Sequence, residues 1–167
     1  MLIWYNPCGE IMNKEETLVD ILIKNNYHIS FAESATGGML AARLINVANA
    51  SKVLNESFVT YSNESKIKYV NVKEETIDKY NVVSEEVAKE MVIGLNKNTN
   101  ANICASVTGV AGPTGGTINI PVGMVCFGFY INGNIVTKTQ KFGNLGRNIV
   151  RQKASDFVYD TLIELLK

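Results

Sequence analysis

The stretch 31-FAESATGGMLAARL-44 decides how this chain is folded. It starts inside 27-YHISFA-32, a short apolar run with the character of a buried strand. It then passes through an acid, two hydroxyls and a glycine pair into Met39, Leu40, Arg43 and Leu44, whose spacing is helical. A strand that turns directly into a helix is the building unit of an α/β sheet. Glycine permits the tight turn, and a hydroxyl at that point can cap the helix. The same turn can also present backbone N–H groups to an anion or a developing oxyanion beside a hydroxyl nucleophile. Spacing alone leaves both readings open.

Working outward, Leu18, Ile21 and Leu22 recur at helical spacing over residues 14–25, and 24-KNN-26 suits a helix end. Downstream, 56-ESFVTY-61 is a strand candidate and 62-SNESKIKYV-70 begins a helix, with Ser62 or Asn63 available as its cap. The connection 45-INVANASKVLN-55 matches no pattern, and 73-KEETIDKY-80 is a short helix or turn. Ser84, followed by Glu85 and Glu86, starts a helix that runs through Met91, Val92 and Leu95, because carboxylates favour the positive end of the helix dipole. A strand at 101-ANICASV-107 leads into the glycine-rich loop 108-TGVAGPTGGTINIP-121 and the apolar strand 122-VGMVCFGFY-130. Asn132-Gly133 signals a tight hairpin into 135-IVTKTQKF-142, and a closing helix from about Asn148 carries Val150, Ala154, Phe157, Val158, Leu162 and Leu165 on one stripe. The pattern predicts an α/β fold: a mixed sheet between helical layers, with one late antiparallel hairpin.

A length of 167 residues with 46% hydrophobic side chains fits one globular domain. Residues 1–11, MLIWYNPCGEI, do not fit the helical pattern that follows and are expected to be an extension or arm, with the domain spanning 12–167. Sixteen basic and sixteen acidic residues give zero formal charge, which disfavours broad attraction to phosphate backbones, so no nucleic-acid partner is expected. No apolar stretch is long enough to span a bilayer, and the N-terminus lacks a secretory pattern. Cys8, Cys104 and Cys126 are isolated, as free thiols in a reducing compartment would be. A cytoplasmic location without membrane contact is the expectation. The composition is compatible with a homo-oligomer but does not demand one.

The only histidine is His28, placed in the first strand candidate, which argues strongly against a serine-histidine triad. Dinucleotide, P-loop, G-x-S-x-G and S-x-x-K patterns are all missing from the first turn. Any serine nucleophile here needs another base, and 59-VTYSNESK-66 offers Lys66 beside Tyr61. A lysine activates a hydroxyl only when neutral, which requires its pKa to fall through burial or a nearby positive charge. Read alone, Lys66 suits a solvated helix lysine and Tyr61 a half-buried aromatic. Gly109, Gly112, Gly115 and Gly116, with Pro113 among them, make a loop long enough to hold a phosphate or ribose as readily as to serve as a plain connection. No metal-ligand cluster is evident in the sequence.

Taken in order, AESATGG, FVTYSNESK, VVSEEVAKEM, SVTGVAGPTGGT, PVGMV and GRNIVRQKA resemble the signature segments of the CinA carboxy-terminal-domain family, from about Lys14 to the end. The resemblance implies a three-layer α/β/α sandwich with a mixed, mostly parallel sheet. It also implies hydrolysis of the carboxamide of nicotinamide mononucleotide to nicotinate mononucleotide and ammonia, with no cofactor or metal. Matched residue by residue, Ser34 is the nucleophile and Lys66 and Tyr61 its partners, which reverses the solvated reading of Lys66. Glu33, Thr36, Gly37 and Gly38, together with Gly112, Thr114, Gly115 and Gly116, are expected to hold the small-molecule nucleotide, and Arg147 to meet its phosphate. Amides at the Gly37-Gly38 helix start would stabilise the oxyanion. The chain departs from the family at Ala35, where cysteine is common, and at Ile120, where relatives carry the lysine of KPVG. The alternatives are a nucleotide-binding or regulatory module without catalysis, or an amidohydrolase for another carboxamide.

Overall fold

Side chains along the segment Ile103 to Thr108 alternate between two covered faces. Ile103, Ala105 and Val107 join one apolar cluster, while Cys104 joins a second. Ser106 and Thr108 are as buried as the apolar residues. Burial on both faces is what a central strand between helical layers requires.

The computed structural model describes residues 4–5 and 11–167. Strands β1 (Trp4–Tyr5) and β2 (Ile11–Met12) pair with each other, and the rest of the expected arm, including Cys8, lies outside the described residues. There follow α1 (Lys14–Asn25), β3 (Ile29–Glu33), α2 (Met39–Leu44), β4 (Phe58–Val59), α3 (Asn63–Val70), α4 (Glu74–Tyr80) and α5 (Glu85–Thr99). The chain ends with β5 (Ile103–Gly109), β6 (Met124–Ile131), β7 (Asn134–Lys141) and α6 (Arg147–Leu165).

The main sheet has the order β4-β3-β5-β6-β7. β3 is parallel to both β4 and β5, while β6 is antiparallel to β5 and to β7. Four strands therefore run one way and β6 alone opposes them. The expected hairpin β6–β7 is present, with Asn132 at φ 47° and Gly133 at φ 95° making its tight turn. A second antiparallel pair, β5–β6, was not expected. The glycine-rich loop returns the chain directly, and a strand joined without a crossover helix pairs antiparallel.

Helices α1, α2 and α6 cover one face through Leu18, Leu22, Leu40, Leu44, Val150, Val158 and Leu162. The other face meets α5 through Val87, Met91, Val92 and Leu95, with Val70 of α3 in the same cluster. The fold is an α/β/α sandwich. Asparagines end three of its helices in the left-handed conformation: Asn26 at φ 55°, Asn71 at φ 54° and Asn100 at φ 53°. That explains part of the asparagine abundance.

Two boundaries shift from expectation. His28 precedes β3, its amide donating to the Asn102 side chain at 2.9 Å. β4 keeps only two residues of the expected six, because the backbone leaves the ladder to arch over a buried lysine. No described helix is long and apolar enough to cross a membrane.

The layer on the α5 side is held at close range by Gly94. A Cβ there would overlap the carbonyl of Val70 at the end of α3. Gly94→Ala is expected to cost about 1–3 kcal/mol, the usual range for overpacking, read as a lower urea midpoint with an unchanged m-value.

Candidate active site

The last residue of β3, Glu33, is fully buried. Its carboxylate accepts from the amides of Gly38, Leu40 and Ala41, each at 3.0 Å. It therefore caps α2 in place of Gly38, which has no side chain to do so. Ser34 extends the ladder by one residue, its amide donating to the Val107 carbonyl at 3.0 Å. The chain then turns through Gly37 (φ 60°) and Gly38 (φ 93°).

Lys66 reaches this turn from α3. Ser62 caps that helix in a capping box with Ser65, which fixes the start so that position 66 faces inward. Lys66 is 1% exposed. Its Nζ donates to Ser34 Oγ at 3.0 Å, to the Thr60 carbonyl at 2.8 Å and to the Tyr61 carbonyl at 3.4 Å. Burial pulls the ammonium down from 10.5 to about 8, against a weaker opposing pull from Glu64. A hydroxyl nucleophile and a base that can lose its proton near neutral pH are thus in direct contact.

The two side chains lie at one wall of a cavity of about 270 Å³. Tyr61, Gly112, Thr114, Gly115 and Arg147 also line it, as expected of site residues. Arg147 spans the mouth: Nη1 donates to the Gly112 carbonyl at 3.0 Å and Nη2 to the Tyr61 hydroxyl at 2.8 Å. The Tyr61 hydroxyl is therefore held by Arg147, and only the Tyr61 carbonyl meets Lys66.

Five expected residues stay outside the lining. Glu33 is committed to the α2 amides, and Thr36 is fully buried with its carbonyl turned to Arg151. Gly37 and Gly38 shape the turn, and Gly116 packs against the Pro121–Val122 backbone. The Gly38 amide belongs to Glu33, so that half of the oxyanion site expected at the Gly37-Gly38 helix start is corrected. Ala35, next to Ser34, lines the cavity instead. The missed wall residues include Val82, Val83, Thr108 and Val110. Thr108 Oγ1 ties the Val82 carbonyl at 2.8 Å, a long-range contact with no local signal. Ile120, the departure from the KPVG pattern, lines a separate hollow of about 640 Å³ beside the α4–α5 turn. That hollow is lined by neither Ser34 nor Lys66, which both line the smaller cavity.

Cys104 and Cys126 are free and buried, and burial pushes the Cys104 thiol up to about 12, which leaves it inert. Among the described residues no group of three His, Cys, Asp or Glu is placed to hold a metal ion.

Residues 12–166 match the family model of the CinA C-terminal domain. The chain belongs to that family. It is 50% identical over 147 residues to a putative competence-damage inducible protein of Clostridium botulinum strain Langeland, covering 86% of this chain and 36% of the relative. It is 47% identical over 146 residues to a CinA-like protein of Kosmotoga olearia, covering 87% of this chain and 35% of the relative. The chain thus spans about a third of the length of these curated relatives. The crystal structure of the competence/damage inducible protein CihA from Agrobacterium tumefaciens superposes with a TM-score of 0.86 at 33% identity. That match covers 93% of this chain and 98% of the other.

The folded pKa of Lys66 lies below its unfolded value, so between about pH 8 and 10.5 the unfolded chain binds a proton that the folded chain lacks. Stability from this group therefore rises with pH across that window. Measured by urea melts, wild type should gain roughly 2–3 kcal/mol on Lys66→Met between pH 7 and pH 10. A difference independent of pH would contradict the lowered pKa.

Proposed function

We propose that the chain hydrolyses the carboxamide of nicotinamide mononucleotide to nicotinate mononucleotide and ammonia. The observation that carries this reading is the 3.0 Å contact between Ser34 Oγ and a buried Lys66 whose pKa is about 8. Membership of the family supports the choice of substrate.

Neutral Lys66 takes the Ser34 proton as Oγ attacks the carboxamide carbon. The tetrahedral oxyanion is met by the amide next to the nucleophile, that of Ala35, since Glu33 occupies the α2 amides. Collapse breaks the C–N bond, and the Lys66 ammonium returns its proton to the departing nitrogen, giving ammonia and an ester on Ser34. Lys66, neutral again, activates water to attack that ester, releasing the carboxylate and restoring the serine. Arg147 binds the substrate phosphate in exchange for its contact with the Tyr61 hydroxyl. Tyr61 then closes the mouth over the bound nucleotide.

The test is ammonia release from nicotinamide mononucleotide, nicotinamide riboside and nicotinamide. Turnover should be confined to the phosphorylated compound and vanish in Ser34→Ala with the fold intact. Substantial turnover by that variant would remove Ser34 as nucleophile, and no ammonia from the nucleotide with wild type would remove the substrate assignment.

Because the base must be neutral, kcat/KM should rise with pH and level off above about 8, following Lys66. Lys66→Met should lower kcat by about 10²–10⁴-fold and abolish that rise.

A further inference from the structure

We infer that Arg151 is a positioning residue for the nucleophile turn, acting on the backbone of residues 35 and 36 and making no contact with substrate. This rests on the reading of Ser34 as nucleophile but not on which carboxamide it attacks.

Arg151 projects from α6 onto the turn that follows β3. Its Nε donates to the Ala35 carbonyl at 3.1 Å and its Nη2 to the Thr36 carbonyl at 2.7 Å. Two adjacent carbonyls are thus drawn to one guanidinium. In a trans peptide the N–H points opposite to the C=O across the same bond. Drawing the carbonyls of Ala35 and Thr36 toward α6 therefore turns the N–H groups of Thr36 and Gly37 away from it. On the other side of the turn, Glu33 fixes the amides of Gly38, Leu40 and Ala41. A cation on the carbonyls and an anion on the amides hold the turn from both ends, directly after Ser34.

The charge on Arg151 has no carboxylate partner among the described residues. Nearby Arg43 differs, being held by Glu15 and Asp156. A cation placed on these two carbonyls fixes the tilt of the peptides that follow Ala35 and Thr36, and with it the placement of Ser34 and of the Ala35 amide just before them. Gly37 lies against this guanidinium, a Cβ built there standing in ordinary contact at 3.5 Å from Arg151 Nη2, and its φ of 60° is what calls for glycine. Arg147 lies one helical turn earlier, at the mouth. The two arginines divide the work: Arg147 meets the ligand, and Arg151 holds the nucleophile in place.

The test uses the reaction of Ser34 with a fluorophosphonate, which does not depend on the carboxamide. The Oγ–P bond forms, fluoride leaves and Lys66 takes the hydroxyl proton. Arg151→Met keeps the apolar stem and removes both hydrogen bonds. It should slow phosphonylation about a hundredfold, the scale of a small misplacement of reacting groups, while the melting temperature stays within a few degrees of wild type. Millimolar guanidinium should restore part of the rate in that variant and not in Arg147→Ala. In carboxamide turnover the loss should fall on kcat, with KM little changed. Arg151→Lys, which keeps the charge and fewer donors, should be intermediate, and it decides the matter if the methionine variant does not fold. Phosphonylation of either folded variant at the wild-type rate would overturn the assignment, as would a wild-type Ser34 inert to the probe. A reactive Ser34 that releases no ammonia from nicotinamide mononucleotide would sink the substrate reading and leave Arg151 tested by the probe alone.

Discussion

The burial of one ammonium group organises this molecule. Lys66 enters beneath the carbonyls of Thr60 and Tyr61, and those two acceptors with Ser34 replace the water it has lost. For them to converge, β4 must end after Val59 so that the chain can arch, and α3 must begin at a defined residue. The first condition shortens the edge strand. The second is met by the Ser62 and Ser65 capping box. α3 itself is pinned from behind, where Gly94 lets α5 approach the Val70 carbonyl. Elements from the edge of the sheet to the outer helices are thus committed to holding a single side chain in an environment that disfavours its charge.

Around that group the chain sets charges unevenly although its total is zero. Lys66, Arg147 and Arg151 gather at the carboxyl ends of β3 and β4, while the Glu33 carboxylate is taken up by three amides of the α2 start. The local excess is positive, a setting that favours negative charge at the cavity without making the whole surface basic. Charge balance over the sequence therefore says little about what this cavity attracts, though it speaks against long tracks of phosphate.

Most of the architecture was legible because it is written in local signals. α1 and α2 occupy the spans that their apolar spacing predicts, Ser62 and Ser84 cap where a cap was expected, and Asn132-Gly133 turns the hairpin. Ser34 and Lys66 could be paired only through the ordered family segments, since helical spacing by itself favours a solvated Lys66. The misses are matters of distance in sequence. Glu33 reads as a ligand-facing acid until three amides five to eight residues onward are seen to claim it. The wall formed by Val82 and Val83 depends on Thr108. Arg151 shares a helix face with Arg147, and i, i+4 spacing could have drawn attention to it. Its carbonyl partners, however, come from the other end of the chain.

The mixed direction of the strands bears on the order in which the molecule assembles. β5, β6 and β7 form a meander whose neighbours are close in sequence, so its loops close at little entropic cost. The parallel seam between β3 and β5 must bring together groups such as His28 and Asn102, which are 74 residues apart. The clasp of Arg151 on Ala35 spans 116. During synthesis the reactive turn is therefore made early and locked late, when α6 leaves the ribosome. Until then Ser34 and Lys66 lack their final setting, so the buried contact between them is one of the last features of the molecule to form.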